Sequence, residues 1–141
     1  MKNIIAVLSV MVLCSNSCEK PPFVEKFYGV MVTNNSSAEI RVLLADEHAA
    51  KQYPDTTLPA SKPALQKAPV GKSCYFDYRT PMEENIKKLP ADTLSVYFID
   101  NAIYENEPWD SVRIHYKILK RLDLSIEDLR NMNWTIIYDE N

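Results

Sequence analysis

The side chains here with the richest chemistry are three cysteines (Cys14, Cys18 and Cys74), two histidines (His48 and His115) and a short acidic run. The histidines are too far apart to write HExxH or a three-histidine metal site. Only two glycines are present, Gly29 and Gly71, so a phosphate-cradling loop, a dinucleotide turn and a nucleophile elbow are excluded. No cofactor is called for. The acids Asp100, Glu105, Glu107 and Asp110 keep one enzymatic reading open, because a carboxylate-based hydrolase needs only two acids at a cleft and leaves no linear motif. A solvated acidic loop is the plainer reading. The run also lacks the alternating ligands and turn glycine of a calcium loop.

Cys18 sits in a more telling context. Lys2 precedes the apolar run from Ile4 to Leu13, then Ser15, Asn16 and Ser17 lead into the cysteine. This is the layout of a secretory signal peptide, and the apolar run is shorter than the roughly 20 residues a membrane helix needs. A small residue directly before cysteine resembles the lipobox of bacterial lipoproteins, whose thiol is acylated before the leader is removed. Ser15 departs from the leucine usual three residues before the cysteine, and cleavage by ordinary signal peptidase is the alternative. Cys14 fits less well, because Leu13 before it is bulky.

The expected organisation is therefore a signal peptide over 1–17, a lipidated cysteine and tether over 18–25, and one globular domain over 26–141. Acyl chains of the palmitate kind anchor a protein stably when two or more are present. The expected location is the cell envelope, anchored to membrane by the N-terminal lipid, at the inner membrane or on either face of the outer membrane. Cys74, flanked by Tyr75 and Phe76, reads as a small buried hydrophobe rather than a reactive thiol. Losing residues 1–17 removes one basic group, Lys2, and no acid, moving the net charge from −3 to −4. The basic groups Lys87-Lys88 and Lys117, Lys120, Arg121 are solvated faces rather than a nucleic-acid stripe.

The elements that would position any site are mostly strands. Residues 27–33 and the alternation of Ala38, Ile40, Val42 and Leu44 flank Asn34-Asn35-Ser36-Ser37, which predicts a β-hairpin. Residues 46–72 contain Pro54, Pro59, Pro63 and Pro69 and read as a long loop with an edge strand, and as a natural binding surface. A strand over 73–79 puts Cys74, Phe76 and Tyr78 on one face. A short helix over 81–88 and a turn at 89–92 precede a central strand around Leu94–Ile99. A helix after Pro108 carries Trp109, Val112 and Tyr116. Strands follow at 117–124 and 134–138, with a helix between them opened by the capping box Ser125-Ile126-Glu127-Asp128. The expected fold is mainly β, α+β in detail: a single antiparallel β-sandwich-like domain with two or three short helices.

Five stretches carry a family likeness: residues 53–59 (YPDTTLP), 92–98 (DTLSVYF), 116–121 (YKILKR), 124–129 (LSIEDL) and 133–136 (NWTI). Together they resemble a group of small lipoproteins of Gram-negative gut anaerobes, a group with no assigned activity. The resemblance covers most of residues 50–138 and implies an exported, anchored, single-domain protein. It also implies a modification, because such bacteria O-glycosylate exported proteins at Asp followed by Ser or Thr and then an apolar residue or Thr. Asp55-Thr56-Thr57, Asp92-Thr93-Leu94 and Asp110-Ser111-Val112 fit, making Thr56, Thr93 and Ser111 the candidate hydroxyls. Asp-Thr and Asp-Ser are equally ordinary turn and helix-start pairs.

The function these features favour is a non-enzymatic envelope module that contacts an envelope protein or a glycan through its loops or a sheet face. Eight tyrosines and two tryptophans offer flat rings for sugar stacking, although Trp109 and Trp134 sit in patterned segments that favour the core. A small envelope inhibitor or immunity protein is one alternative, and the carboxylate hydrolase is the other.

Overall fold

The computed structural model describes residues 28–46 and 51–140. The leader, Cys14, Cys18, the tether and His48 lie outside the described residues.

Alternation builds two sheets. β1 (Tyr28–Asn34), β4 (Ser73–Tyr78) and β7 (Thr135–Tyr138) form a three-stranded sheet ordered β4-β1-β7. β2 (Ile40–Ala45), β3 (Gln66–Ala68), β5 (Thr93–Asp100) and β6 (Lys120–Ser125) form a four-stranded sheet ordered β3-β2-β5-β6. Val30, Val32 and Ile136 of the first sheet face Val42, Val96 and Phe98 of the second, all buried in the main core. The Phe98 and Tyr138 rings stack across the interface with centroids 4.8 Å apart. The result is a mainly β, sandwich-like α+β fold with four short helices.

β5 lies between β2 and β6, as its two apolar faces predict, with every residue from Leu94 to Ile99 buried. Its outer face needs its own cover, and a second core supplies it. Tyr97 and Ile99 pack with Leu58 and Leu65 of the proline-rich loop and with Trp109 and Val112 of α3 (Trp109–Ile114). The other helices are α1 (Met82–Ile86), α2 (Asn101–Asn106) and α4 (Ile126–Asn131). α2 was not foreseen. Its start is fixed by the Asp100 carboxylate accepting from the Ile103 N–H, a cap written in the acidic run itself. α4 begins as expected, with both halves of the Ser125–Asp128 capping box formed.

Three expectations need correcting. The predicted hairpin does not form: β1 pairs with β4 and β7, β2 pairs with β3 and β5, and Asn34–Ser37 carries the chain from one sheet to the other. The cause is Asn34, which is fully buried and bonds across the arch instead of turning at the surface. The sheets are not wholly antiparallel either. β7 runs parallel to β1, because the chain crosses from β6 to the other sheet through α4 and a turn with left-handed Asn133 and Trp134. Finally, Tyr116 does not share the α3 face with Trp109 and Val112; the helix stops at Ile114 and Tyr116 stands exposed beyond it.

The proline-rich loop holds the predicted edge strand, β3, but its inward side is committed to packing. Trp109 Nε1 donates to the Pro59 carbonyl at 2.8 Å, the Tyr104 hydroxyl donates to the Pro63 carbonyl at 2.8 Å, and Lys62 sits over the Tyr104 ring. Trp109→Phe keeps an aromatic ring but loses the indole N–H and orphans the buried Pro59 carbonyl. The expected cost is about 1.5 kcal/mol, with faster amide exchange at Leu58 and Leu65 than at Val42 or Val96. Uniform loosening across both cores would contradict this assignment.

Candidate functional site

The four acids singled out in the sequence do not converge on a cleft. Asp100 caps α2, Glu105 pairs with Arg41, Glu107 pairs with Lys117 at 2.6 Å, and Asp110 pairs with Arg113 at 3.0 Å. Each carboxylate has its own structural partner. Among the described residues no group of three or more His, Cys, Asp or Glu side chains is placed to hold a metal. Cys74 is buried in the main core, and burial pushes its thiol up to about 11, so little thiolate forms at neutral pH.

The three hydroxyls in the Asp-Ser/Thr pattern sit in different settings. Thr56 is exposed on the proline-rich loop. Thr93 is half-buried at the start of β5 and its hydroxyl donates to the Ala91 carbonyl at 2.8 Å. Ser111 is half-buried in α3, with its hydroxyl 3.3 Å from Glu107 Oε2. The basic group near β6 is ion-paired: Lys117 with Glu107, Lys120 with Asp139, and Arg121 with Asp123 while lying over the Tyr97 ring.

Several acids are held ionised by local bonds. Asp55 is drawn down to about 2 by the Thr57 N–H and hydroxyl, with help from Lys51. Glu83 is lowered by the two-pronged Arg130 guanidinium, Glu107 by Lys117, Asp128 by Ser125 and Glu140 by Ser37. Unfolded carboxylates titrate near about 4. A carboxyl whose folded value lies below its unfolded value stabilises the fold above the unfolded value and loses that stabilisation as pH falls toward the folded one. The midpoint of thermal unfolding should therefore drop below about pH 4.5, and Glu83→Gln should make the drop shallower. An unchanged midpoint down to about pH 2.5 would count against these pairings.

One surface stands apart. The outer face of the four-stranded sheet is covered by α3 and the loop, whereas nothing among the described residues covers the outer face of β4-β1-β7. Register sets this face out in rows. Tyr75, Met31 and Thr135 lie side by side, Ser73, Thr33 and Ile137 form the next row, and Asp77 lies beside Gly29. Tyr75 is 60% exposed and Ile137 53%, with Met132 at the edge. Ring area left in water on a flat sheet face marks an interaction surface rather than a core.

Turn chemistry adds to the face. The Met31 N–H donates to the Trp134 carbonyl at 2.9 Å, which fixes left-handed Trp134 beside β1 with its side chain half-buried against the main core. Three hollows follow. One of about 340 Å³ lies between Tyr28, Gly29, Met82 and Trp134. The second, about 270 Å³, shares Gly29 and Trp134 and adds Tyr75 and Asp77. The third, about 350 Å³, continues past Asn133 and Thr135 to Met132 and Ile137. The second and third share Asn133 and Thr135 on the outer face, whereas the first meets the second at Gly29 and Trp134 and opens on the core side, beside Tyr28 and buried Met82.

None of these face residues stood out in the sequence; Trp134, expected in the core, does pack against it. The available signals were the outward register of Tyr75 between Cys74 and Phe76, and a glycine inside a strand, which marks a close approach of backbone. No family model, no curated protein and no solved structure matches this chain. Among the described residues no helix is long and apolar enough to cross a membrane.

Proposed function

We propose that this chain is a lipid-anchored cell-envelope protein that works by binding, with the outer face of the β4-β1-β7 sheet as its docking surface. Anchoring through Cys18 rests on the leader, on Ser17 before the cysteine and on the resemblance to small lipoproteins. The binding role rests on one observation: of two sheets in the same sandwich, one is roofed, whereas no described residue covers the other, where Tyr75 and Ile137 stand exposed beside half-buried Met31. A sheet needs only its inner face for stability, so the exposed Tyr75 ring and Ile137 on the outer face serve something outside the core.

The anchor is tested by mass spectrometry of the chain from its native host and by detergent phase partition. The expected species begins at Cys18 with acyl chains on its sulfur and amine, and enters the detergent phase. Cys18→Ser should leave the leader uncleaved and abolish acylation. An unmodified sulfur at Cys18 in the wild-type chain would contradict the anchor.

A further inference from the structure

We propose that the edge of β2 beyond the end of β3 is a second docking site, on the other sheet, for an extended peptide of a partner protein that adds a short strand and inserts one apolar side chain. β2 runs for 6 residues, but β3 pairs with it only over Ile40, Arg41 and Val42. The Asn101 N–H donates to the Glu39 carbonyl at 3.0 Å, and successive residues of an antiparallel strand aim their backbone groups at opposite neighbours. Arg41, Leu43 and Ala45 therefore bond to β5, whereas Ile40, Val42 and Leu44 address the other side. β3 meets the first two. The Leu44 N–H and carbonyl have no hydrogen-bond partner among the described residues, although Leu44 is buried, and backbone groups in that position are rarely left unpaired.

The loop before β3 is held away from this edge. Extending the register would put Ala64 opposite Leu44, but the Pro63 carbonyl is taken by the Tyr104 hydroxyl and the Pro59 carbonyl by Trp109 Nε1, both of which pack on the second core. A hollow of about 440 Å³ is left between the loop and β2. It touches both Leu43, which packs on the second core, and Leu44, in the main core, so it runs along the edge of the strand rather than over one face. A donor and an acceptor on one residue, both aimed sideways from a strand, match one residue of another extended backbone. Opposed side chains of an antiparallel pair share a face, so the residue opposite Leu44 enters beside Val42, Leu44 and Phe76. That floor is apolar. An acyl chain would fill the hollow but leave both backbone groups unpaired.

The test titrates the isotope-labelled full chain in detergent with capped pentapeptides Thr-Thr-X-Thr-Thr, in which X is Val, Leu, Phe or Asp, and follows the backbone amides by NMR. Before peptide is added, the Leu44 amide should exchange faster than the Val42 amide, which β3 covers. At least one of the Val, Leu and Phe peptides should shift the Leu44 amide saturably and slow its exchange, and the Asp peptide should not. N-methylation of residue X removes the donor to the Leu44 carbonyl and should weaken binding about tenfold. Ala64→Trp, at an exposed loop position bordering the hollow, should block binding while Val42 keeps its slow exchange. Tyr75→Ala, on the other sheet, should leave binding unchanged. A Leu44 amide already as protected as that of Val42 would mean that the chain fills the position itself, and overturns the proposal. So does the absence of a shift at Leu44 with all three apolar peptides, equal binding of the Asp peptide, or binding indifferent to N-methylation. Loss of binding in Tyr75→Ala would move the peptide to the β4-β1-β7 face and overturn it as well.

Discussion

Asn34→Ala should cost about 4 kcal/mol and leave the chain unfolded in mild urea. The side chain is fully buried where β1 leaves the first sheet. Nδ2 donates to the Ala38 and Ala68 carbonyls at 2.8 and 2.9 Å, and Oδ1 accepts from the Ser36 N–H at 3.0 Å and the Ser36 hydroxyl at 2.6 Å. The backbone closes the same knot, donating to the Lys72 carbonyl and accepting from the Gly71 N–H, both at 2.9 Å. One residue thus ties β1 to the arch, to β3 and to the turn before β4. Alanine leaves the Ala68 carbonyl and the Ser36 N–H buried without that partner, and each such orphan costs roughly 1–3 kcal/mol. Domains of this size are stable by only about 5–15 kcal/mol, so the loss is a large fraction. Asn35→Ala, one residue on and exposed, should change stability by less than about 0.5 kcal/mol. Urea midpoints that move equally in the two variants would contradict the role given to Asn34.

The second large effect separates the two glycines. At Gly29 an added Cβ falls deep inside the Phe76 carbonyl oxygen and lies 3.1 Å from its carbon, so it collides with β4 backbone rather than with a side chain that can swing away. Gly29→Ala should cost about 3 kcal/mol, because two paired strands must part to admit one methyl. Gly71 has the opposite problem: nothing lies within 4 Å of its added Cβ, but φ is +66°. Gly71→Ala should cost about 1–2 kcal/mol, the price of a left-handed L-residue. Urea unfolding should rank Gly29→Ala well below Gly71→Ala in stability, and the reverse order would show that β1 and β4 are not so closely apposed.

The strands were legible because alternation records burial, one face at a time. Val30 and Val32, Ile40 and Val42, and the double-sided run from Leu94 to Ile99 each lie as their pattern requires. Strand partners were not legible. Asn34-Asn35-Ser36-Ser37 is good turn chemistry whether it joins two strands of one sheet or carries the chain between sheets, and only the buried amide of Asn34 distinguishes the cases. The parallel pairing of β7 is likewise decided by the crossing through α4, a tertiary fact with no local signature. For the site, Tyr75 could be read as outward-facing from its neighbours Cys74 and Phe76. That no described element covers its face could not, because this depends on where α3 and the proline-rich loop pack, and both went to the other sheet.

That asymmetry is what the proposed role rests on, and hydroxyl-radical footprinting tests it most directly by comparing the protein on intact cells of its host with the purified chain in detergent. Tyr75, Met31, Met132 and Trp134 should be markedly less oxidised on cells, while exposed Ile114 and Tyr116, on the other side of the sandwich, should label alike in both. Equal oxidation of Tyr75 and Trp134 in the two preparations would mean that nothing occupies the face and that the bare sheet is not where this protein binds.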